Sequence, residues 1–233
     1  MPCTLPASLA DAAVCRGSFH AVLGGEAGEA VFADFSAALQ KAQAEGRILT
    51  ASLFRYENHL FFYAEGLNRP ITPQGLCPAL DAALLPWPPA LGEAAPRPWA
   101  AMQPYFFHDI PTTAADWQQG RCPQRRRGRI ALLPPDSWCS YMEHHLRIVT
   151  EGLVEGDRWH LICVQEGVLF SYLEEPRTNV NIKHRPGAHS PELDAWIAAD
   201  PESHFARFTP EQKAHPDSGH NFVFLPRIAG TED

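Results

Sequence analysis

A pattern that occurs twice in one chain restricts it to folds made of two similar units. Residues 49–66 (LTASLFRYENHLFFYAEG) and 159–176 (WHLICVQEGVLFSYLEEP) share such a pattern. Each reads as a strand, a short polar turn and a second strand that ends in aromatic and then acidic residues. The turns Glu57-Asn58 and Glu166-Gly167 have hairpin chemistry, and Gly167 adds tolerance of positive φ. A helical period precedes each hairpin. Val31, Phe35, Ala38, Leu39 and Ala42 mark one face of a helix over 28–45. Trp138, Tyr141, Met142, His145, Leu146, Val149 and Leu153 mark another over 135–154, with Asp136 and Ser137 as caps and Gly152 and Gly156 as stops. Short strands at 18–23 and 129–133 come before the helices. Weakly helical stretches follow the hairpins, marked by Leu76, Leu80 and Leu84 and by Leu193, Trp196 and Ile197. Aromatic strands at 105–110 and 221–225 close the halves. The order β-α-β-β-α-β, twice, predicts an α+β fold of tandem ferredoxin-like repeats over 16–111 and 129–228, joined by a polar linker at 112–128. Such a sheet carries helices on one face only, so the two sheets are expected to cover each other.

Composition narrows the function. With 45% hydrophobic and 20% charged residues the chain is globular. Its formal net charge of −8 argues against nucleic-acid binding, which needs a surplus of cations. The one basic run, 121–129 (RCPQRRRGR), reads as a solvated linker, the alternative being a small anion-binding patch. Six scattered cysteines without a Cys-x-x-Cys, a first segment without a basic and apolar leader, and no apolar run near the ~20 residues of a membrane helix predict a soluble cytoplasmic protein with reduced thiols. The 22 prolines, clustered around 86–89, 96–98 and 134–135, read as stiff connectors.

Walker, zinc-protease and serine-hydrolase motifs are absent from the sequence. The glycine-rich 24–28 lacks dinucleotide-binding spacing and reads as a loop. The informative stretch is 137–150 (SWCSYMEHHLRIVT), where Tyr141 and His145 stack on one helical face and His144 turns towards water. An imidazole beside a phenol suits acid–base work near neutrality, and the alternative is a core histidine bonded within the fold. His184, His189, His215 and His220 have no ligand spacing, and residues 216–219 (PDSG) are turn chemistry, so neither a metal nor a cofactor is expected.

Together these residues resemble the L-rhamnose mutarotase family, single ferredoxin-like units that pair as dimeric α+β barrels. Arg129, Leu132 and Pro134 match the family's opening strand, and Tyr141 and His145 match the Tyr-x-x-x-His of its helix. The aromatic hairpin at 161–175 follows in family order. His204-Phe205 falls on the family's Trp-Trp pair, His215-Pro216-Asp217 on its Asn-Pro-Asp, and 222–225 on its closing strand. The resemblance implies an intrachain dimeric α+β barrel in which Tyr141 and His145 are the acid–base groups. The first half, with Val31 or Phe32 and Phe35 or Ser36 at those positions, carries no such pair.

The expected function is therefore a mutarotase-like isomerase that interconverts anomers of a monosaccharide without a cofactor. His145 acts as the principal acid–base group and Tyr141 as its partner. Trp159, Phe170, Trp196 and Phe205 stack on the sugar, and His215 and Asp217 bind it. Non-catalytic binding of a small ligand, or a haem-binding or cofactor-free monooxygenase of the same fold, are the alternatives. No nucleic-acid or membrane partner is expected, and the chain is read as a monomer or homodimer.

Overall fold

The computed structural model describes residues 5, 7–107, 110–179, 182–213 and 220–231. Its elements, in chain order, are β1 (Val14–Val22), α1 (Glu29–Ala44), β2 (Thr50–Tyr56), β3 (His59–Leu67), α2 (Pro78–Ala82), β4 (Ala100–Ala101) and β5 (Gln103–Phe107). There follow α3 (Ala114–Gln118), β6 (Arg125–Leu132), α4 (Pro135–Glu151), β7 (Val154–Glu155), β8 (Leu161–Gln165), β9 (Val168–Glu175), β10 (Lys183–His184), α5 (Pro191–Ala198), β11 (Val223–Leu225) and β12 (Arg227–Gly230). The protein is α+β, and its described strands pair antiparallel in two five-stranded sheets and one two-stranded sheet. No helix among the described residues is long and apolar enough to cross a membrane. The chain divides into two compact units: Met1–Met102 with Pro111–Pro123 and Pro226–Asp233, and Gln103–Ile110 with Gln124–Leu225.

The first unit holds a sheet of order β12-β2-β3-β1-β4. Phe32, Phe35, Leu39 and Ala42 recur at helical spacing on α1 and bury against Ala21, Leu53, Leu60, Phe62 and Ala64, the inward positions of alternating strands. The other sheet face is polar and aromatic. There Arg16 lies opposite Glu65, Ser18 opposite Tyr63 and His20 opposite Phe61. Glu65 is 1% exposed. It accepts from Arg16 Nε at 3.2 Å, Arg121 Nη1 at 2.9 Å, the Tyr63 hydroxyl at 2.6 Å and Trp117 Nε1 at 2.5 Å.

Stretch 112–128, which the sequence suggests is a linker, is thus structured. Thr113 caps α3 by accepting from Asp116 N at 3.3 Å, and α3 delivers Trp117 to Glu65. The basic run enters β6 from Arg125 onward. Arg125 and Arg126 lie in register with Glu175 and Glu174, the acidic end of β9. Arg127 Nη1 donates to Glu175 Oε1 at 2.9 Å, and Arg126 and Arg127 are both buried. Opposite charges facing across strands turn an apparent solvated run into a ladder.

The second unit holds the sheet β11-β6-β9-β8-β5. The sequence places 105–110 at the end of the first half, but Tyr105 and Phe106 sit on β5, which pairs with β8 and packs into the second core; His108 and Asp109 lie outside the described residues. Only Ala100 and Ala101, as β4, pair with β1. At the other end β11 pairs with β6 in the second sheet, and β12, one residue on, pairs with β2 in the first. Apolar alternation marks these segments as strands but does not say which sheet each joins.

The β8–β9 turn has φ of 50° at Glu166 and 77° at Gly167. A Cβ on Gly167 would sit 2.8 Å from the Leu133 carbonyl oxygen, while Leu133 N donates to Gly167 O at 2.8 Å. Gly167→Ala is expected to cost more than the about 1–2 kcal/mol of left-handed strain alone. Gly46→Ala, at φ 71° with open space around it, should cost only that strain. Equal shifts in urea midpoint for the two variants would show that the turn relaxes around the methyl group.

Candidate functional site

The site is built by α4, whose buried stripe is Tyr141, His145 and Ile148. Trp138 and Leu146, which the periodicity assigns to that stripe, are instead exposed at 42% and 63%. Leu146 lies about 100° around the helix from His145, outside the narrow strip the sheet can cover. The expected caps Asp136 and Ser137 lie inside the helix, and Pro134 occupies the N-cap without a side-chain bond. The helix ends where Gly152, at φ 68°, takes the left-handed conformation. His144, expected to meet water, is half-buried, its ring 5.3 Å from that of Trp196.

Between α4, α5 and the sheet lies a cavity of about 440 Å³, lined by Tyr141, His145, Trp196 and Phe205 among others. That volume falls within the roughly 300–1,000 Å³ of small-molecule sites. Ser190 caps α5 by accepting from Leu193 N at 3.0 Å, and so fixes the helix that carries Leu193 and Trp196 to the cavity. Four of the sequence-predicted site residues are therefore brought together. Trp159 and Phe170 are not. On β9, Leu169 and Ser171 face the cavity, so Phe170 between them points to the other side of the sheet. Trp159 is buried next to the cavity residue His160 and does not line it. His215 and Asp217 lie outside the described residues.

His145 Nδ1 donates to the Tyr141 carbonyl oxygen at 2.9 Å. A neutral His145 therefore carries its proton on Nδ1 and its lone pair on Nε2. The ring is held edge-on by Phe106 at 4.7 Å and Trp196 at 4.8 Å. Burial, with a smaller push from Glu202, drives the Tyr141 phenol up to about 12 against the opposing pull of Tyr105 and Arg129. It stays protonated at neutral pH, so its hydroxyl has a proton to give. The Tyr105 hydroxyl is near enough to Tyr141 for each to affect the other's ionisation, yet it makes no hydrogen bond of ordinary geometry among the described residues.

No family model matches the chain, and a search of curated proteins finds no match.

The cavity also holds charged residues to which the sequence reading assigned no role: Arg129, Asp157, Arg177 and Glu202. Asp157 organises one wall, accepting from Arg177 Nε at 2.8 Å and from Thr178 N and Oγ1 at 3.2 and 2.8 Å. Arg129 lies on the floor, with its guanidinium 4.3 Å from the Phe222 ring centroid. Its signal was in the sequence: the alternation that turns Ala131 and Leu133 inward also turns Arg129 inward. Among the described residues no group of three His, Cys, Asp or Glu could hold a metal ion.

The first unit has apolar residues at similar spacings. The buried stripe of α1 has Phe35, Leu39 and Ala42 at the spacing of Tyr141, His145 and Ile148 on α4, rather than the Val31 or Phe32 and Phe35 or Ser36 named from the sequence. In the sheet, Phe19 pairs with Phe62 where Arg129 pairs with Ser171.

Proposed function

We propose that the second unit is a cofactor-independent isomerase that interconverts the anomers of a monosaccharide. The observation that carries this reading is that Tyr141 and His145 line one cavity of sugar-accommodating size. Ring opening requires a base at the anomeric hydroxyl and an acid at the ring oxygen. His145 takes the hydroxyl proton and the carbonyl forms as the ring C–O bond breaks. Tyr141 donates to the departing ring oxygen. After rotation about the exposed C–C bond, closure on the other carbonyl face returns both protons. The reaction is redox-neutral and runs slowly unaided, so acid–base help of about 10²–10⁴-fold is enough to make an enzyme. Trp196 and Phe205 offer flat faces against which a sugar ring stacks. The resemblance to L-rhamnose mutarotases supports the same assignment, and the strand orders, each holding closing strand, first, third and second in sequence, support a tandem ferredoxin-like reading of the two units.

A second reading has its own support. His145 is 4% exposed and enclosed by the rings of Phe106, Tyr141 and Trp196, which suits a scaffold histidine in a pocket that only binds. Saturation-transfer NMR on neutral and acidic aldoses separates the two. Anomer exchange above the buffer rate with at least one sugar is expected. Binding without exchange for every sugar would favour the binding-only pocket.

A further inference from the structure

Arg129 is an expensive residue for its position. It sits mid-strand on the inward face of β6, in line with Ala131 and Leu133 of the core. Its guanidinium makes no hydrogen bond or ion pair among the described residues, and Nε is shut off from solvent without a partner. What it does contact is the Phe222 ring. The other cavity charges offset it only in part, with Glu202 pulling against burial and Arg177. Arg177 is tied to Asp157, which spends both of its carboxylate oxygens on Arg177 and Thr178. Glu202 stands on an exposed stretch and is held by Asn221 Nδ2, so water screens its charge. Burial and then Arg177 bring the Arg129 guanidinium down to about 10, a mark of a cation short of counter-charge. The fold itself does not ask for an arginine here, because the first unit solves the same register position with the Phe19–Phe62 pair.

We infer that the cavity takes an acidic monosaccharide, whose single anionic group docks on Arg129. This rests on the reading of the cavity as a sugar site and narrows its substrate class. A carboxylate or a phosphate meets the planar guanidinium through paired N–H donors, and Ser171, directly opposite Arg129 in the ladder, lines the cavity beside it. The docked anion supplies the missing counter-charge and orients the anomeric carbon relative to His145.

Three sugars test it on the whole chain: a neutral hexose, a hexuronate and a hexose 6-phosphate, each followed by calorimetric binding and by NMR anomer exchange. At least one acidic sugar is expected to bind about 30-fold tighter than the neutral one. The uronate and phosphate arms tell which anion fits. Arg129→Gln should abolish that preference, and Arg129→Lys should keep part of it. Arg129→Met should raise the melting temperature of the unliganded protein, since an unpaired inward charge is removed, while losing the melting-temperature rise given by the acidic sugar. Equal binding of neutral and acidic sugars by the native chain overturns the inference, whatever the variants do, and so does a preference that survives Arg129→Gln. Acidic sugars that bind through Arg129 but show no exchange would uphold the inference and sink the isomerase reading. Exchange confined to neutral sugars would do the reverse, and failure of every sugar to bind would end both.

Discussion

His145→Ala is expected to slow anomer exchange by about 10²-fold or more, and Tyr141→Phe by less. The asymmetry follows from the two environments. The bond from His145 Nδ1 to the Tyr141 carbonyl ties the orientation of the ring to the helix itself. Tyr141 supplies a proton, and a water molecule admitted by the phenylalanine can donate in its place. Removing a buried ring also leaves a void among Phe106, Tyr141 and Trp196, so binding of the preferred sugar and the unfolding midpoint must be measured alongside the rate. A rate loss with binding retained points to chemistry at His145. Unchanged exchange in a folded His145→Ala protein would remove the residue from the mechanism.

The largest effect on stability is expected at Glu65. Burial alone would raise its carboxyl, but Arg121 and Arg16, with Trp117 and Tyr63 donating, bring it from an ordinary 4.5 to about 2. The folded value is depressed, so this contribution is fully present above about pH 4.5 and is lost as the pH falls from there towards 2. The difference corresponds to about 3 kcal/mol. Glu65→Gln should forfeit it at neutral pH and take from Arg16 and Arg121 the buried carboxylate they share, for a total of about 3–5 kcal/mol. Hydrogen exchange should report the loss first at β1 and β3. A variant whose acid transition between pH 2 and 4.5 matches that of the native chain would show that Glu65 does not control it.

Much of the fold was legible because period and turn chemistry are local. The α1 and α4 helices, the two hairpins and the Gly152 stop follow from residues within a few positions of each other. Strand allegiance was not legible. Tyr105 and Phe106 read as the end of the first half because they follow it, and only the second core, where both pack, decides otherwise. The arginines of β6 were misread for a related reason: their partners Glu174 and Glu175 lie nearly fifty residues away, so the charge balance of the run is invisible within it. In the site, helical spacing brought Tyr141 and His145 together and hydrophobicity brought Trp196 and Phe205. Aromatic character alone misled at Phe170, because period-two alternation sends it to the opposite face from Ser171. Asp157 and Arg177 come from loops and Glu202 from a short 3-10 turn at Pro201–His204, segments whose course no local pattern fixes.

The destination of β12 has a consequence for how the molecule is made. A ribosome releases β1, α1 and the β2–β3 hairpin ready to pack, yet the strand that borders β2 emerges only after the second unit. Until then β2 presents unpaired backbone groups along its length, the kind of edge that captures strands of other chains. The first unit must wait, half-finished, through synthesis of the whole second unit, and a nascent chain stalled before Pro226 would carry both a nearly complete cavity and an open-edged sheet. The gene's order and the sheets' order thus disagree. Chaperone dependence and aggregation in this protein should trace to the first-made unit, not to the one that carries the site.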